Sequence, residues 1–464
     1  MSTARELCAY CTDLRYDDLP ADVRDLTKQF VLDVLGIGIR AGENPSSQAV
    51  KAGADEALSG SPESTVWATG ERESATYAAF VNGTFVHTLE MDDTHRSAVI
   101  HPGAPIIATA FAVGEREGST GEELLTAVVA GYEVACRLGI ALRNHRVHLE
   151  RGFHGTSTCG VFGGAIAGGL LAGFDADELE NLLGITLSQA SGSLQYKING
   201  AWTKRIHPGL AARDAILAVS LAKQGFRGAA EPLTGTYGFL EMYGVDPEPD
   251  RLLAELGDDY EIRHTGIKPY ACCRYNHPAI DATLDIVNEH DIAPEEVTGI
   301  NLSTFESAYE LSQPPERKVR PENVVDAQFS PQYAIAVAVS DRQALVSQYT
   351  RERLEDSELR SLLSRISVEE DRSMTARYPD AWPARVTVET TRGTFVGEVD
   401  GPSGEPERPL SEEEMVAKFK SLTQTVTTDS GGDSIVESVL SIEAHEVSEI
   451  GATIAAAVSG AAQD

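Results

Sequence analysis

A chain of 464 residues with 42% hydrophobic side chains can bury a large core, and its length points to two or three domains. Its 71 acidic against 38 basic residues give a net charge of −33, spread along the whole chain, which would repel nucleic acid and anionic membranes and argues against both as partners. Only nine of the basic residues are lysines. Dispersed acid with so little lysine is expected of a protein adapted to high salt, where screening cuts self-repulsion to about 3 Å at 1 M.

Taken in order, the N-terminal part reads as one helix after another. Six cysteines without a secretory leader point to a reducing cytoplasm, and Cys8 and Cys11 read as two cysteines on a terminal helix, since no second pair has zinc spacing. Pro20 opens a helix whose apolar stripe from Val23 to Leu35 is expected to end at Gly36 and Gly38. Further helices are expected over 75–86, 104–114 and from Gly121 through Leu138. The longest run of low polarity, 159–173, is too short and too glycine-rich for a membrane span. It reads instead as a tightly packed helix following a loop that holds His154. A satisfied structural histidine and a site residue fit His154 equally well.

Three polar clusters interrupt these apolar runs. The first, 80–105, carries Glu90, Asp92, Asp93, Thr94, His95 and His101, and the spacing of His87, Glu90, Met91 and Thr94 predicts one face of a helix that breaks after Thr94. The second, Asn199 to Gly209, gathers Thr203, Lys204, Arg205 and His207 ahead of a helix expected over 210–223. Cations are unusual at a helix N-terminus, where the dipole already favours anions, so they point to an anion site, with a solvated loop as the plainer reading. The third, 266–278, holds Lys268, Arg274 and His277 before a helix over 279–289. Beyond about residue 265 the pattern turns to α+β. Strands are expected over 297–305, 384–389 and 394–399, the last two forming a hairpin, with helices over 330–339 and 354–366 between. Ser411 to Glu414 then starts a helix with a capping box, 429–434 reads as a Gly/Ser/Asp loop, and helical pattern runs to the end. The domains expected are a helical one from 1–265 and 403–464 and an inserted α+β one from 266–402.

The three clusters combine proton-transfer groups with cations. A protein this acidic must invert its potential locally to bind a polyanion, and His101 with the neighbouring acids suits proton transfer beside a carboxylate. No nucleophile elbow, metal loop or cofactor fingerprint accompanies them, which leaves elimination, decarboxylation, isomerisation and epimerisation.

VNGTFVHTLEMDDTH with HPGAP, TKRIHPGLAAR, IKPYACCRYNHP and AQFSPQYAIAVA, in that order, resemble the MmgE/PrpD family across nearly the whole chain. The resemblance implies a helical domain made from both chain ends, a smaller α+β lid, a homodimer, and chemistry on a small polycarboxylate with neither metal nor organic cofactor. Carried over by motif, it implies catalytic roles for His101, Asp93, Thr94, Lys204 and Lys268. Asp92, Glu90, His154, His207, Arg274 and His277 are the expected substrate-binding groups. Glu90 stands where the decarboxylases of the family carry an aspartate, and the loop before His101 is one residue longer. The activity expected first is therefore dehydration of 2-methylcitrate. Decarboxylation of cis-aconitate and epimerisation of iminodisuccinate are the alternatives, and a non-catalytic carboxylate-binding scaffold ranks below them.

Overall fold

The computed structural model describes residues 2–198, 200–378 and 380–461; Asn199, in the second polar cluster, and the last residues of the expected C-terminal helix lie outside these. The chain is mainly α with a small α+β part, and it divides into two compact units. Unit 1 comprises residues 1–88, 92–267 and 411–464; unit 2 comprises 89–91 and 268–410.

Unit 1 holds helices α1 (Thr3–Asp13), α2 (Ala21–Arg40), α3 (Pro45–Ala57), α4 (Ala75–Thr88), α5 (Gly103–Glu117) and α6 (Gly121–Ala141). After these come α7 (Asn144–Glu150), α8 (Gly155–Thr158), α9 (Gly160–Leu171), α10 (Ala176–Thr186), α11 (Thr203–Lys223) and α12 (Phe239–Tyr243). Two short ribbons interrupt the helices: β1 (Ser64–Thr65) pairs with β2 (Arg72–Glu73), and β3 (Thr94–His95) pairs antiparallel with β4 (Thr265–Gly266).

Local signals explain many of the boundaries. Thr120 and Glu123 close a reciprocal capping box at the start of α6, satisfying backbone N–H groups that the first turn would otherwise leave unpaired. α6 is long and apolar enough to cross a bilayer, yet most of it is buried inside unit 1, where Glu133 and Arg137 pair at 2.9 Å. Cys8 and Cys11 lie buried on α1, and burial pushes the Cys8 thiol up to about 12. α2 continues past Gly36 and Gly38 to Arg40, because these glycines admit the Phe419 and Trp67 rings against the helix.

Unit 2 is built on a four-stranded sheet in the order β6-β5-β7-β8, with β5 at Val297–Thr304, β6 at Ile366–Glu370, β7 at Ala384–Thr390 and β8 at Gly393–Val399. β5 pairs parallel with β6 and antiparallel with β7, and β7 with β8 is the expected hairpin. The helix expected over 354–366 is instead two short helices, Arg351–Glu355 and Ser357–Leu363, followed by β6. Helices His277–Glu289 and Pro331–Asp341 supply buried faces to this unit.

The C-terminal helices Glu412–Thr423, Asp429–Leu440 and Val447–Ala461 return to unit 1, where Lys418 forms a buried ion pair with Asp33 of α2. The segment expected as a loop at 429–434 is the first half of a helix. Thr428 caps it by accepting from Gly431 N–H, and Ile435, Val436 and Val439 give it a buried face.

Candidate active site

α4 and α11 bring the first two polar clusters together. They cross at Gly83 and Gly209, where a Cβ on Gly209 would lie 2.1 Å from Thr84 Oγ1 and 2.3 Å from Phe80 O, so only glycine allows this approach. His87 is one turn beyond Gly83, and His207 is two residues before Gly209. α11 starts at Thr203 rather than 210 and runs through Pro208, which places Lys204, Arg205 and His207 inside its first two turns. Arg205 is engaged structurally: its Nη1 donates to Ser46 Oγ at 2.7 Å and Asn44 Oδ1 at 3.1 Å.

α4 stops at Thr88, so the helical face expected for His87, Glu90, Met91 and Thr94 does not form. Glu90 takes the left-handed conformation with φ 58°, and Thr94 and His95 form the β3 ribbon. His95 Nδ1 accepts from Ala98 N–H, so its Nε2 carries the proton and donates to Glu261 Oε2 at 3.0 Å. Val99 is also left-handed, with φ 52°, and Asn144 Nδ2 donates to the Ala98 and Val99 carbonyls. Two non-glycine residues at positive φ, each costing on the order of 1–3 kcal/mol, bracket the loop that delivers His101.

Three oxygens surround His101 Nδ1: Asp93 O at 2.6 Å, Thr94 Oγ1 at 3.1 Å and Asp92 Oδ2 at 3.9 Å. A main-chain carbonyl can only accept, so Nδ1 carries a proton and Nε2 is the nitrogen with the lone pair in the neutral ring. The His101 main-chain N–H donates to Thr156 Oγ1 at 3.1 Å.

Asp93 contributes its backbone here, not its carboxylate. The carboxylate accepts from Gly103 N–H at 3.0 and 3.1 Å, at the start of α5, and from the Tyr132 hydroxyl at 2.7 Å. It is fully buried, and burial followed by the charge of Asp92 pushes it up to about 8. The Asp93 carboxylate is thus anchored by Gly103 and Tyr132.

Asp92 is buried with its Oδ2 2.6 Å from His87 Nδ1. The His87 ring lies 5.0 Å from that of His101 and 5.6 Å from that of His154. His154 Nδ1 meets His207 Nδ1 at 2.9 Å, and Tyr196 lies 6.0 Å from each of these two rings. Two Nδ1 atoms at that distance share one proton, so one ring donates and the other accepts. Burial first, then neighbouring positive charge including Lys204, lowers His154 well below its ordinary value and His207 to about 4. Among the described residues, no three His, Cys, Asp or Glu side chains converge as ligands for a metal ion.

Unit 2 holds the other expected site residues. Lys268 is buried with its Nζ 4.0 Å from Glu90 Oε2. Arg274 donates from Nε to Glu405 Oε1 at 2.8 Å and from Nη1 to His277 Nδ1 at 3.0 Å, which leaves the His277 Nε2–H to donate to Cys272 O. Arg274 and His277 are thus both buried and bonded to each other.

Three residues in unit 1 were not among those the motifs single out: His87, Tyr132 and Tyr196. His87 shares a helical face with the first cluster in the sequence pattern, whereas Tyr132 and Tyr196 carry no local signal. The sequence matches the MmgE/PrpD N-terminal domain over residues 5–252 and the MmgE/PrpD C-terminal domain over residues 270–443. The chain belongs to the MmgE/PrpD family. Among its relatives are the cis-aconitate decarboxylase of Aspergillus terreus, 29% identical and covering 94% of this chain and 92% of the relative, and that of Homo sapiens, 25% identical with 93% and 89% covered. A cis-aconitate decarboxylase-like protein of Aspergillus oryzae is 28% identical, with 97% and 96% covered. This MmgE/PrpD chain thus resembles decarboxylases along nearly its full length, and they favour the alternative activity over dehydration.

Proposed function

We propose that the protein is a carboxy-lyase acting on a small polycarboxylate, with cis-aconitate as the substrate to test first. The observation that carries this reading is His101: its Nδ1 proton is directed at the Asp93 carbonyl, and Asp92 Oδ2 stands 3.9 Å from the same nitrogen. Similarity to decarboxylases over 94% of the chain supports the reaction type.

Loss of CO2 breaks a carbon–carbon bond and leaves its electron pair on the substrate, where the remaining unsaturation and carboxylates delocalise it. Net, the tricarboxylate takes up one proton and releases CO2. In the proposal the imidazolium of His101 delivers that proton from Nε2 to carbon. Lys204, in the first turn of a 21-residue helix whose dipole also favours anions, binds a substrate carboxylate. Thr94 Oγ1 holds the His101 ring by accepting from Nδ1. Lys268 enters as a second carboxylate-binding group on the strength of the family resemblance, and a homodimer is proposed on the same ground.

The test incubates the protein separately with cis-aconitate, 2-methylcitrate, citrate and iminodisuccinate and follows products by NMR. Release of CO2 from cis-aconitate with a five-carbon dicarboxylate product is expected. Faster dehydration of 2-methylcitrate, or turnover of none of the four, would sink the proposal.

A further inference from the structure

The chemistry above leaves His87 without a task. It lies wholly buried on the last turn of α4, and its Nδ1 donates to the same Asp92 Oδ2 that stands 3.9 Å from His101 Nδ1. One carboxylate oxygen thus lies between two imidazoles whose ring centroids are 5.0 Å apart, and the contacts are unequal: 2.6 Å to His87 and 3.9 Å to His101. We propose that His87 is a positioning residue for His101, holding Asp92 Oδ2 away from His101 Nδ1 so that this nitrogen stays committed to the Asp93 carbonyl.

A carboxylate within about 3 Å of His101 Nδ1 would replace the carbonyl as its acceptor and bind the imidazolium proton more tightly. Held at 3.9 Å it leaves the Asp93 carbonyl, at 2.6 Å, as the acceptor. The charged and titratable groups around this pair come from several elements: Asp92 from the turn, His154 ahead of α8 and His207 from α11, with Lys204 acting on His154 and His207. The inference rests on His101 being the proton-moving group of the proposed function, and not on which acid is the substrate.

The test uses the full chain labelled with 15N-histidine, without substrate, as the parent and as His87→Phe and His87→Asn. Phenylalanine keeps a ring and removes the donor; asparagine places an N–H near the position of Nδ1. In His87→Phe, Asp92 turns to His101, and the His101 midpoint is expected to rise by about one pH unit. The limb of the pH–rate profile governed by His101 moves with it, about tenfold in rate at a pH on that limb. His87→Asn stays close to the parent. No rise in His87→Phe, or the same rise in His87→Asn, overturns the proposal, since a purely structural histidine would alter melting without moving the titration of His101. If His87→Phe does not fold, the parent decides: one-bond N–H couplings must place protons on Nδ1 of both His87 and His101, and a His87 protonated only at Nε2 overturns the proposal. A chain whose His101 responds as described but which turns over none of the acids retires the proposed function and keeps this inference.

Discussion

Two buried polar clusters, one in each unit, treat ionisable side chains differently. In unit 1 the buried cluster is made mostly of imidazoles, His87, His101, His154 and His207, set against one another and against few charges. In unit 2 buried charges are matched with opposite ones: Arg274 with Glu405, Lys268 facing Glu90, and Arg408 near Asp281. A buried charge is stabilised by an opposite charge beside it, whereas imidazoles in contact can pass a proton between them. Of the residues that look alike as sequence clusters, Arg274 and His277 are thus bonded to each other and to Glu405, whereas the imidazoles of unit 1 face one another.

The comparison can be broken most sharply at His101. On the proposed function, His101→Ala should lower kcat on the order of 10²- to 10⁴-fold with a melting temperature near that of the parent, measured by product NMR and thermal denaturation. An equally large loss from Arg274→Met in kcat alone, without loss of stability, would erase the distinction between the units. Arg274→Met is expected instead to destabilise by about 3–5 kcal/mol in denaturant titration, because Glu405 loses its guanidinium in a buried site. Gly103→Ala should cost about 1–3 kcal/mol, since its Cβ would lie 2.7 Å from Tyr132 Oη and 2.9 Å from Asp93 Oδ1.

A further prediction concerns acid. With its pKa lowered to about 4 in the fold, His207 stays neutral while the unfolded chain takes up a proton near 6.5. Its contribution to stability is therefore complete above about pH 6.5 and is lost as the pH falls toward 4. His207→Gln should flatten the fall in melting temperature over that window, and an unchanged slope would show that the imidazoles are not the acid-sensitive part of unit 1.

How far the sequence reveals all this depends on whether the deciding contact is local. The capping box at Ser411 and the hairpin around 391–393 are local, and they are legible as such. β6 is not: its partner β5 lies some 66 residues earlier, so Ile366–Glu370 merges with the helix before it. The end of α4 is hidden because Glu90, Met91 and Thr94 continue a helical spacing that the left-handed backbone at Glu90 breaks. Pro208-Gly209 reads as a helix breaker, yet packing against α4 carries α11 through it. Likewise His101, Lys204 and Lys268 are conspicuous as residue types, while the engagement of Arg274 by Glu405 joins positions 131 apart and leaves no trace in the motif.

The α4–α11 crossing at Gly83 and Gly209 also bears on how this scaffold can diversify. With no side chain between the two backbones, the spacing between the turns that carry His87 and His207 has almost no slack, and any larger residue there would pry both imidazoles apart at once. Attempts to retune this protein for a bulkier or differently charged acid should leave that helix pair untouched.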